Sequence, residues 1–463
     1  VLLEGGALAC AAIVMLQLVV QLVELCIATH ALLNEPSEPE PSLVWRCSAG
    51  AAPPVSIIAP AFNEEANIVE SVQSLLGLRY PCFKVIVVSD GSTDATLQRL
   101  IAAFDLRRIA LDVDMPLPHR SIRGAYRSVR NPNLLVIDKT NGGKADALNA
   151  GLNAARHPLF CCVDADSVLE FDALLRVVQP FIDDPHHVVA SGGSVCVANG
   201  CTIGGGRVVN VGLSRNPLAL AQTIEYLRAF QLARLAWSRI DALAIISGAF
   251  GLFRRDVAIA AGGYQCNTVG EDIELVVRLH RRSIESGSGH RIVFVPDPVC
   301  WTEAPETMRM LARQRMRWQR GALETLAQHR AMLFAPRYGR VGRLAMGRLL
   351  LVDLLGPIAE CAGWLLLAAL WASSQLSAGF LGALFAAAAV FGFAISIVAI
   401  SLQPLALSRA RRASEVALLG AAAMLENFGY RQLVGLWRFL GLLQWLRKDT
   451  HWGAMARRGL AAV

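Results

Sequence analysis

Long apolar runs near both ends of the chain are the most obvious feature of its hydrophobic pattern. They cover residues 7–27, 349–372 and 380–407, and the last contains no charged residue in 28 positions. A helix of about 20 apolar residues crosses the ~30 Å hydrocarbon core of a bilayer. The pattern therefore predicts three membrane spans. The first is predicted to stay as an anchor, because no Lys or Arg precedes Arg46 as a secretory signal would require.

Short apolar runs followed by helical patterns fill the region between the predicted spans. Strands are predicted at residues 55–60, 84–89, 134–137 and 159–163, with helices ending at residue 76, beginning at residue 95 and covering residues 144–155. Strands that alternate with helices at this spacing predict an α/β fold with a mostly parallel sheet and helices on both faces.

The same pattern predicts five parts of the chain. Residues 1–33 form the anchor, and residues 34–54, rich in Pro, Glu, Ser and Ala, form a linker. Residues 55–340 form the α/β domain with interfacial helices, residues 341–446 a membrane or interfacial region, and residues 447–463 a basic tail.

Each predicted strand ends in polar residues. Asn63 and Glu64 follow the first strand, Asp90 ends the second, and Asp164 follows the fourth. Ligands of open α/β sheets bind at the carboxyl ends of the strands, so these side chains predict a binding cleft. We favour ligand contact for Asp90, whereas the neighbouring Ser and Thr of its loop are favoured as turn and cap residues.

Two loops carry groups suited to phosphate and metal. Asp164 and Asp166 are separated by one small residue, and two such oxygen donors suit a hard divalent cation, Mg or Mn, that also binds phosphate oxygens. A solvated turn is the alternative for this common pattern. Residues 141–144 read NGGK before a helix, so the glycines permit close backbone approach and Lys144 can meet a phosphate.

Two further helices carry candidate functional groups. Glu271 and Asp272 begin a helix, where they either complement its dipole or supply a base that takes a proton from a hydroxyl group. Gln314, Arg317 and Trp318 share one helical face. Ordinary packing would explain the tryptophan alone, but the three together suit a sugar ring and a pyrophosphate.

Composition places the basic charge near the membrane. The chain is 54% hydrophobic with a net charge of +7, and residues 341–463 hold eleven Lys/Arg against five Asp/Glu. A nucleic-acid partner is therefore not needed to explain the charge. Basic residues directly after the last span and near the end of the chain mark cytoplasmic flanks: Arg409, Arg411 and Arg412, and Arg447, Lys448, Arg457 and Arg458. The eleven cysteines lack zinc-type spacing and are predicted to be buried reduced thiols in a cytosolic domain.

Acidic residues interrupt the apolar C-terminal region. Asp353, Glu360 and Glu426 would be costly there unless they face a wet or protein-lined interior. We expect them to line or brace a narrow polar channel that opens beside Trp318. Residues 415–446 leave three alternatives open: a short helical pair, a re-entrant segment or an interfacial helix.

The order of six motifs resembles that of processive, inverting family 2 glycosyltransferases. The motifs are AFNE, SDGSTD, NGGKADALNAG, VDADS, GED and QxxRW, and the resemblance covers about residues 50–325. Within the family it is similar to bacterial poly-β-1,6-N-acetylglucosamine synthases, with hyaluronan, chitin-oligosaccharide and cellulose synthases more distant. The resemblance implies a Rossmann-like nucleotide-sugar-binding domain, a UDP-sugar donor, a divalent cation, and a polysaccharide extruded through a multi-pass protein of the bacterial plasma membrane.

The resemblance also implies roles for individual residues. Asp90 would hold the nucleotide and Asp166 the cation, with Asn63, Glu64, Lys144, Asp164 and Arg317 as further donor contacts. Asp272, beside Glu271, would accept the acceptor's proton, while Gln314 and Trp318 would bind the acceptor sugar. UDP-N-acetylglucosamine is the expected donor. Transfer of a single sugar to a lipid or short acceptor, and a non-catalytic nucleotide-sugar-binding subunit, are the alternatives. A secretion partner or an oligomer is left open.

Overall fold

The computed structural model describes residues 2–34, 50–111, 114–402 and 413–448. Most of the predicted linker, the basic residues at 409–412 and the predicted tail beyond residue 448 lie outside the described residues. The chain divides into two compact units. Of the described residues, the helical unit contains those in 2–34, 212–242 and 304–448, and the sheet unit contains those in 50–211 and 243–303.

The sheet unit is built on a ten-stranded mixed sheet. The strands in chain order are β1 (Val55–Ala61), β2 (Phe83–Asp90), β3 (Leu106–Ile109), β4 (Ile122–Ser128), β5 (Leu134–Lys139), β6 (Leu159–Val163), β7 (Val168–Leu169), β8 (Val188–Val197), β9 (Thr202–Gly204), β10 (Arg207–Asn210), β11 (Phe250–Arg254) and β12 (Arg291–Thr302). Their order in the sheet is β3-β4-β5-β2-β1-β6-β11-β8-β12-β7, and β9 and β10 form a separate hairpin. The helices of this unit are Ile68–Leu76, Thr96–Phe104, Lys144–Ala154, Ala173–Asp183, Arg255–Ala260 and Glu271–Ser286.

The centre of the sheet follows the predicted α/β pattern. Strands β5, β2, β1 and β6 pair in parallel, and the apolar runs that predicted them are buried. Parallel strands are covered on both faces, so they read as continuous apolar runs in the sequence. The predicted α/β fold class is confirmed, and the carboxyl ends of these four strands meet at one edge.

The other half of the sheet was not predicted. Strand β11 runs antiparallel between β6 and β8, and β12 pairs in parallel with β8. Gly192 of β8 lies opposite Gly251 of β11. A Cβ at Gly251 would come within 2.6 Å of the Ile246 side chain, so the absence of side chains lets Ile246 pack on these strands. This packing holds the loop that precedes β11 against the sheet.

The helical unit contains, among the described residues, three helices long and apolar enough to cross a membrane: Leu8–Asn34, Val341–Ala372 and Ala378–Ser401. Its elements are Leu2–Asn34, Pro217–Tyr226, Arg234–Arg239, Met308–Gln328, Met346–Arg348, Gly356–Ala372, Ala378–Ser401, Ala413–Leu425 and Tyr430–Leu446, with π-helical segments at Leu227–Ala233, Val341–Ala345 and Leu349–Leu355 and short 3₁₀ turns at Arg330–Met332 and Pro336–Tyr338. Residues 415–446 thus fold as two helices, as the helical-pair alternative states.

Two of the three acidic residues singled out in this unit, Asp353 and Glu426, pair with arginines. Asp353 accepts a hydrogen bond from Arg438 at 2.9 Å. Glu426 is 2% exposed and lies 3.1 Å from Arg228, with a further hydrogen bond of 2.6 Å from Ser396. Paired charges are far less costly in an apolar setting than isolated ones. These contacts agree with the expectation that the acidic residues brace the packing of the helices. The polar channel itself stays a prediction.

Candidate functional site

Charged side chains from several loops meet at the carboxyl edge of the sheet. Lys144 is the first residue of its helix, and its Nζ lies 2.5 Å from Asp164 Oδ1 and 3.6 Å from Glu271 Oε1. The same ammonium donates to the carbonyl of Gly248 at 3.2 Å, and the amide of Gly248 donates to Asp272 Oδ2 at 3.0 Å. The structure thus brings together four residues that the sequence had singled out from three separate motifs.

The charge of this cluster is set by its carboxylates. Burial alone would lower the pKa of Lys144, but the nearby carboxylates of Asp164 and Glu271 outweigh it and raise the pKa above its ordinary value. Lys144 is therefore charged at neutral pH. With Asp272 also close, one ammonium faces three acidic groups, so the site attracts cations.

The loop before β11 approaches the cluster through its backbone. A Cβ at Gly248 would lie 2.9 Å from Lys144 Nζ and 3.3 Å from Asp272 Oδ2, so only glycine fits without displacing them. Asp272 is partly exposed, and its Oδ1 accepts from the amide of Ile273 at 2.8 Å. The carboxylate is held on both oxygens by backbone amides while part of it still faces solvent. Sequence reasoning missed Gly248, which has no side chain to signal its role.

Asp90 is more enclosed than the sequence suggested. It is 3% exposed, and its carboxylate accepts hydrogen bonds from Lys139 Nζ at 2.5 Å, Gly142 N at 3.0 Å and Gly143 N at 2.8 Å. The amides of Gly142 and Gly143, in the loop expected to allow close backbone approach, thus donate hydrogen bonds to Asp90. In this arrangement Asp90 anchors the loop that leads to Lys144, and its direct contact with a nucleotide stays a prediction.

A buried lysine that the sequence did not single out completes this anchor. Lys139 is 0% exposed and forms ion pairs with Asp90 and Asp146. Asp146 also accepts hydrogen bonds from the amide of Arg120 at 3.0 and 3.1 Å. Because removal of a charge from water is costly, three buried charges are tolerated only as a bonded group.

Asn63 and Glu64 connect the loops that follow β1 and β2. Asn63 has a φ of 55°, a left-handed conformation that asparagine tolerates, and its side-chain oxygen accepts from Thr93 N at 2.8 Å. The amide of Glu64 donates to Thr96 Oγ1 at 2.9 Å. Ser92 Oγ accepts from the amide of Asn63 at 3.2 Å, which agrees with the turn role favoured for it. Donor contact by Asn63 and Glu64 stays a prediction.

Asp166 has different neighbours from Asp164. It is 7% exposed and lines a small cavity with Asn67, Glu70 and Ser71, whereas Asp164 lies against Lys144. No group of three or more Asp, Glu, His or Cys side chains with metal-binding geometry occurs within the described ranges. The two aspartates therefore do not form a complete metal site from protein groups.

The helical unit presents the remaining predicted residues on the Met308–Gln328 helix. Trp318 is 43% exposed, and its ring centroid lies 6.5 Å from that of Tyr226. Gln314 lies one turn before Trp318, and Arg317 lies next to it in sequence. The sequence did not single out Arg315, which is 3% exposed and lies with its guanidinium 4.4 Å from the Trp318 ring centroid.

Comparison with known families explains the grouping of these motifs. Residues 56–113 match the family described as "Glycosyl transferase family 2", and residues 120–321 match "Glycosyltransferase like family 2". The chain contains a family 2 glycosyltransferase domain. This confirms the family and the enzyme class that the motifs implied.

Several curated proteins are similar to this glycosyltransferase chain. It is 27% identical over 273 residues to poly-beta-1,6-N-acetyl-D-glucosamine synthase of Staphylococcus aureus (strain COL) and 28% identical over 273 residues to that of Staphylococcus epidermidis. Each alignment covers 59% of this chain and 55% of the relative, so the chain spans about half the length of these relatives.

The fold is also found in a solved structure. The mannosyltransferase PcManGT from Pyrobaculum calidifontis, solved in complex with GDP-Man and Mn2+, superposes with a TM-score of 0.58 at 22% identity. The match covers 93% of this chain and 99% of that one. At this identity the likeness bears on the fold, and it agrees with the α/β domain described above.

The donor set of the glycosyltransferase domain is compatible with a divalent cation. Mg²⁺ at phosphate-transfer sites is commonly held by one or two carboxylates together with substrate phosphates, not by a full protein cage. Asp164 and Asp166 supply that number of carboxylates, and the surplus of acidic groups around Lys144 adds negative potential. These two carboxylates are compatible with a cation that shares its ligands with a substrate, and their joint binding of one ion stays a prediction.

Proposed function

We propose that this protein is a membrane-bound inverting β-glycosyltransferase that extends a polysaccharide from a UDP-sugar, with UDP-N-acetylglucosamine as the expected donor. The observation that carries the proposal is the meeting of Lys144, Asp164 and Asp272 at the edge of the sheet. The staphylococcal relatives support the donor and the product by their names.

In the proposed reaction Asp272 is the base. An acceptor hydroxyl attacks the anomeric carbon, the bond from that carbon to the diphosphate breaks, and the hydroxyl proton passes to the Asp272 carboxylate. Attack opposite to the leaving group inverts the configuration. The hydrogen bond from the amide of Gly248 to Oδ2 fixes the carboxylate, so that its lone pairs keep one direction. Glu271 contributes by holding Lys144 rather than by taking the proton.

The departing diphosphate requires positive charge. Lys144 is charged and lies at a helix start, where the helix dipole also favours an anion. Arg317 is proposed as a second cationic group for the diphosphate. When bound, a divalent cation held by Asp166, with Asp164 as a second ligand, would offset further charge on the leaving group.

The acceptor is proposed to be the growing polysaccharide, bound by Trp318 and Gln314. An exposed indole suits the apolar face of a sugar ring, and an amide suits its hydroxyl groups. The three apolar helices support a membrane location. The proposed location is the bacterial plasma membrane, with the catalytic domain on the cytoplasmic side. Translocation of the polymer by the same chain belongs to this proposal.

A donor panel tests the proposal directly. Membranes containing the protein are incubated with radiolabelled UDP-N-acetylglucosamine, UDP-glucose and GDP-mannose, and the product is sized by gel filtration, with Asp272→Asn as the inactive control. We expect high polymer from UDP-N-acetylglucosamine. A product extended by one sugar would support transfer to a lipid or short acceptor instead. Binding of UDP without turnover of any donor would indicate a non-catalytic subunit.

A further inference from the structure

One face of the Trp318 indole lies against a buried cation. The guanidinium of Arg315 is 4.4 Å from the centroid of the indole, and Arg315 is only 3% exposed. A guanidinium at this distance from an indole is attracted to its ring electrons. Trp318 itself remains 43% exposed, so the indole is covered by Arg315 but still offers surface to solvent.

Arg315 is held in turn by residues from two other helices. Its Nη2 donates to Glu225 Oε2 at 2.7 Å and to the Tyr430 hydroxyl at 3.4 Å. The Tyr430 hydroxyl donates to the same oxygen of Glu225 at 2.6 Å. We call Glu225, Arg315 and Tyr430 the clamp. Their contacts link three helices at the guanidinium that lies against Trp318.

The hydrogen bonding of Arg315 is unusual for a residue with a purely structural role. Its Nε and Nη1 are buried and, within the described part of the chain, have no hydrogen-bond partner. Buried arginines usually satisfy more of their five donors, because each unsatisfied donor costs free energy. The hydrogen bonds to Glu225 and Tyr430 therefore hold the guanidinium through Nη2 alone, while it lies against the indole.

A polar group beside the indole also lacks a partner. Gln314 Oε1 is buried and accepts no hydrogen bond from any described residue. Gln314 precedes Trp318 by one helical turn, so both lie on one side of the helix. A sugar ring on the indole would bring hydroxyl groups that can satisfy such an acceptor.

We propose that the clamp holds the indole of Trp318 in the orientation required to stack on the acceptor sugar. Its three members are positioning residues, since they act through Trp318. This inference rests on the acceptor role proposed above for Trp318. The ligand recognised is the apolar face of a pyranose at the end of the acceptor chain.

Steady-state kinetics separate an effect on acceptor binding from an effect on donor binding. Arg315→Met removes the charge but keeps the length, Tyr430→Phe removes one hydroxyl, and Arg309→Met changes an exposed arginine of the same helix as the control. With a β-1,6-linked N-acetylglucosamine oligosaccharide as acceptor, we expect Arg315→Met to raise the acceptor KM about 5- to 30-fold. Tyr430→Phe should raise it less, and the donor KM should stay within about twofold of wild type. An unchanged acceptor KM, or an equal rise in both KM values, would overturn the inference.

A second measurement tests the clamp without turnover. The full chain is labelled with 5-fluorotryptophan, and the ¹⁹F resonance of Trp318 is assigned with Trp318→Phe. Arg315→Met and Tyr430→Phe should shift or broaden that resonance, whereas Arg309→Met should not. An unmoved resonance in both clamp variants would refute the clamp. A wild-type protein with no transfer activity would instead refute the proposed function. If Arg315→Met does not fold, Tyr430→Phe and Glu225→Gln carry the same test.

Discussion

Replacement of Lys139 by methionine tests the buried charges behind the site. Lys139 is fully buried, and its ammonium pairs with Asp90 and Asp146, which are 3% and 6% exposed. Methionine has a similar length and fits an apolar environment, so the variant removes the charge with little change in volume. Two carboxylates are then left buried without their cation.

The expected loss of stability follows from that burial. Removal of one partner of a buried ion pair costs about 3–5 kcal/mol, because the other charge stays buried and unpaired. The backbone amides of Gly142, Gly143 and Arg120 still bind the two carboxylates, which keeps the cost within this range. For a domain of about 150–250 residues each kcal/mol lowers Tm by about 2–4 °C, so we expect a fall of ~6–20 °C.

Thermal unfolding of the full chain in detergent, followed by tryptophan fluorescence, measures this fall. Lys84→Met is the matched control, because Lys84 is exposed near the start of β2 and should change the free energy of unfolding by no more than about 0.5 kcal/mol. Adding Asp146→Asn to Lys139→Met should recover part of the loss, since one unpaired charge disappears. A Tm for Lys139→Met within about 2 °C of that of Lys84→Met would contradict the buried ion triplet.

Four further predictions concern the residues proposed to act in the reaction, Asp272, Asp166 and Lys144, and the neighbouring Gly248. Asp272→Asn should lower transfer about 10²- to 10⁴-fold with UDP affinity preserved, because an amide cannot accept the proton; near-normal turnover would remove Asp272 from this role. Asp166→Ala should abolish cation-dependent activity in a metal titration, and unchanged activity in excess chelator would exclude a metal ligand there. Gly248→Ala should lower kcat, because its Cβ would lie 2.9 Å from Lys144 Nζ. The raised pKa of Lys144 means that its ion-pair stabilisation is complete below about pH 10.4, the value for the unfolded chain, and is lost as the pH rises from there through the raised folded-state pKa, so the Tm difference between wild type and Lys144→Met should stay constant from about pH 7 to 9.

The central strands could be predicted because a buried parallel strand appears in the local sequence as a continuous apolar run. Strands β1, β2, β5 and β6 are short apolar runs, each followed by polar residues, and the first three lead directly into a helix. Strand β8 reads VVASGGSVCV, and its glycines and serines hide its burial from a hydrophobicity pattern. The position of β11 between β6 and β8 depends on pairing between strands that are distant in the sequence, and the local hydrophobic pattern does not reveal such pairing. The sequence therefore predicts the parallel core and misses the mixed half of the sheet.

The candidate site divides in the same way. Lys144, Asp164 and Asp272 were found because their chemistry and their place after predicted strands or at helix starts coincide. Lys139 and Arg315 were missed because a basic residue is expected at the surface, and only tertiary partners make its burial tolerable. In both cases the missing information is the identity of a partner that is distant in the sequence.

The motifs of the sheet unit form one connected polar structure. Asp90, in SDGSTD, binds the amides of Gly142 and Gly143. Gly143 has a φ of 89° and directly precedes Lys144, so the position of Asp90 fixes where the Lys144 helix begins. Lys144 then meets the acidic groups of VDADS and GED. A change at Lys139, which pairs with Asp90, would therefore reach Lys144 through Asp90 and the glycine loop. The motifs are separated along the chain, and the parallel arrangement of β5, β2, β1 and β6 brings their loops to one edge of the sheet.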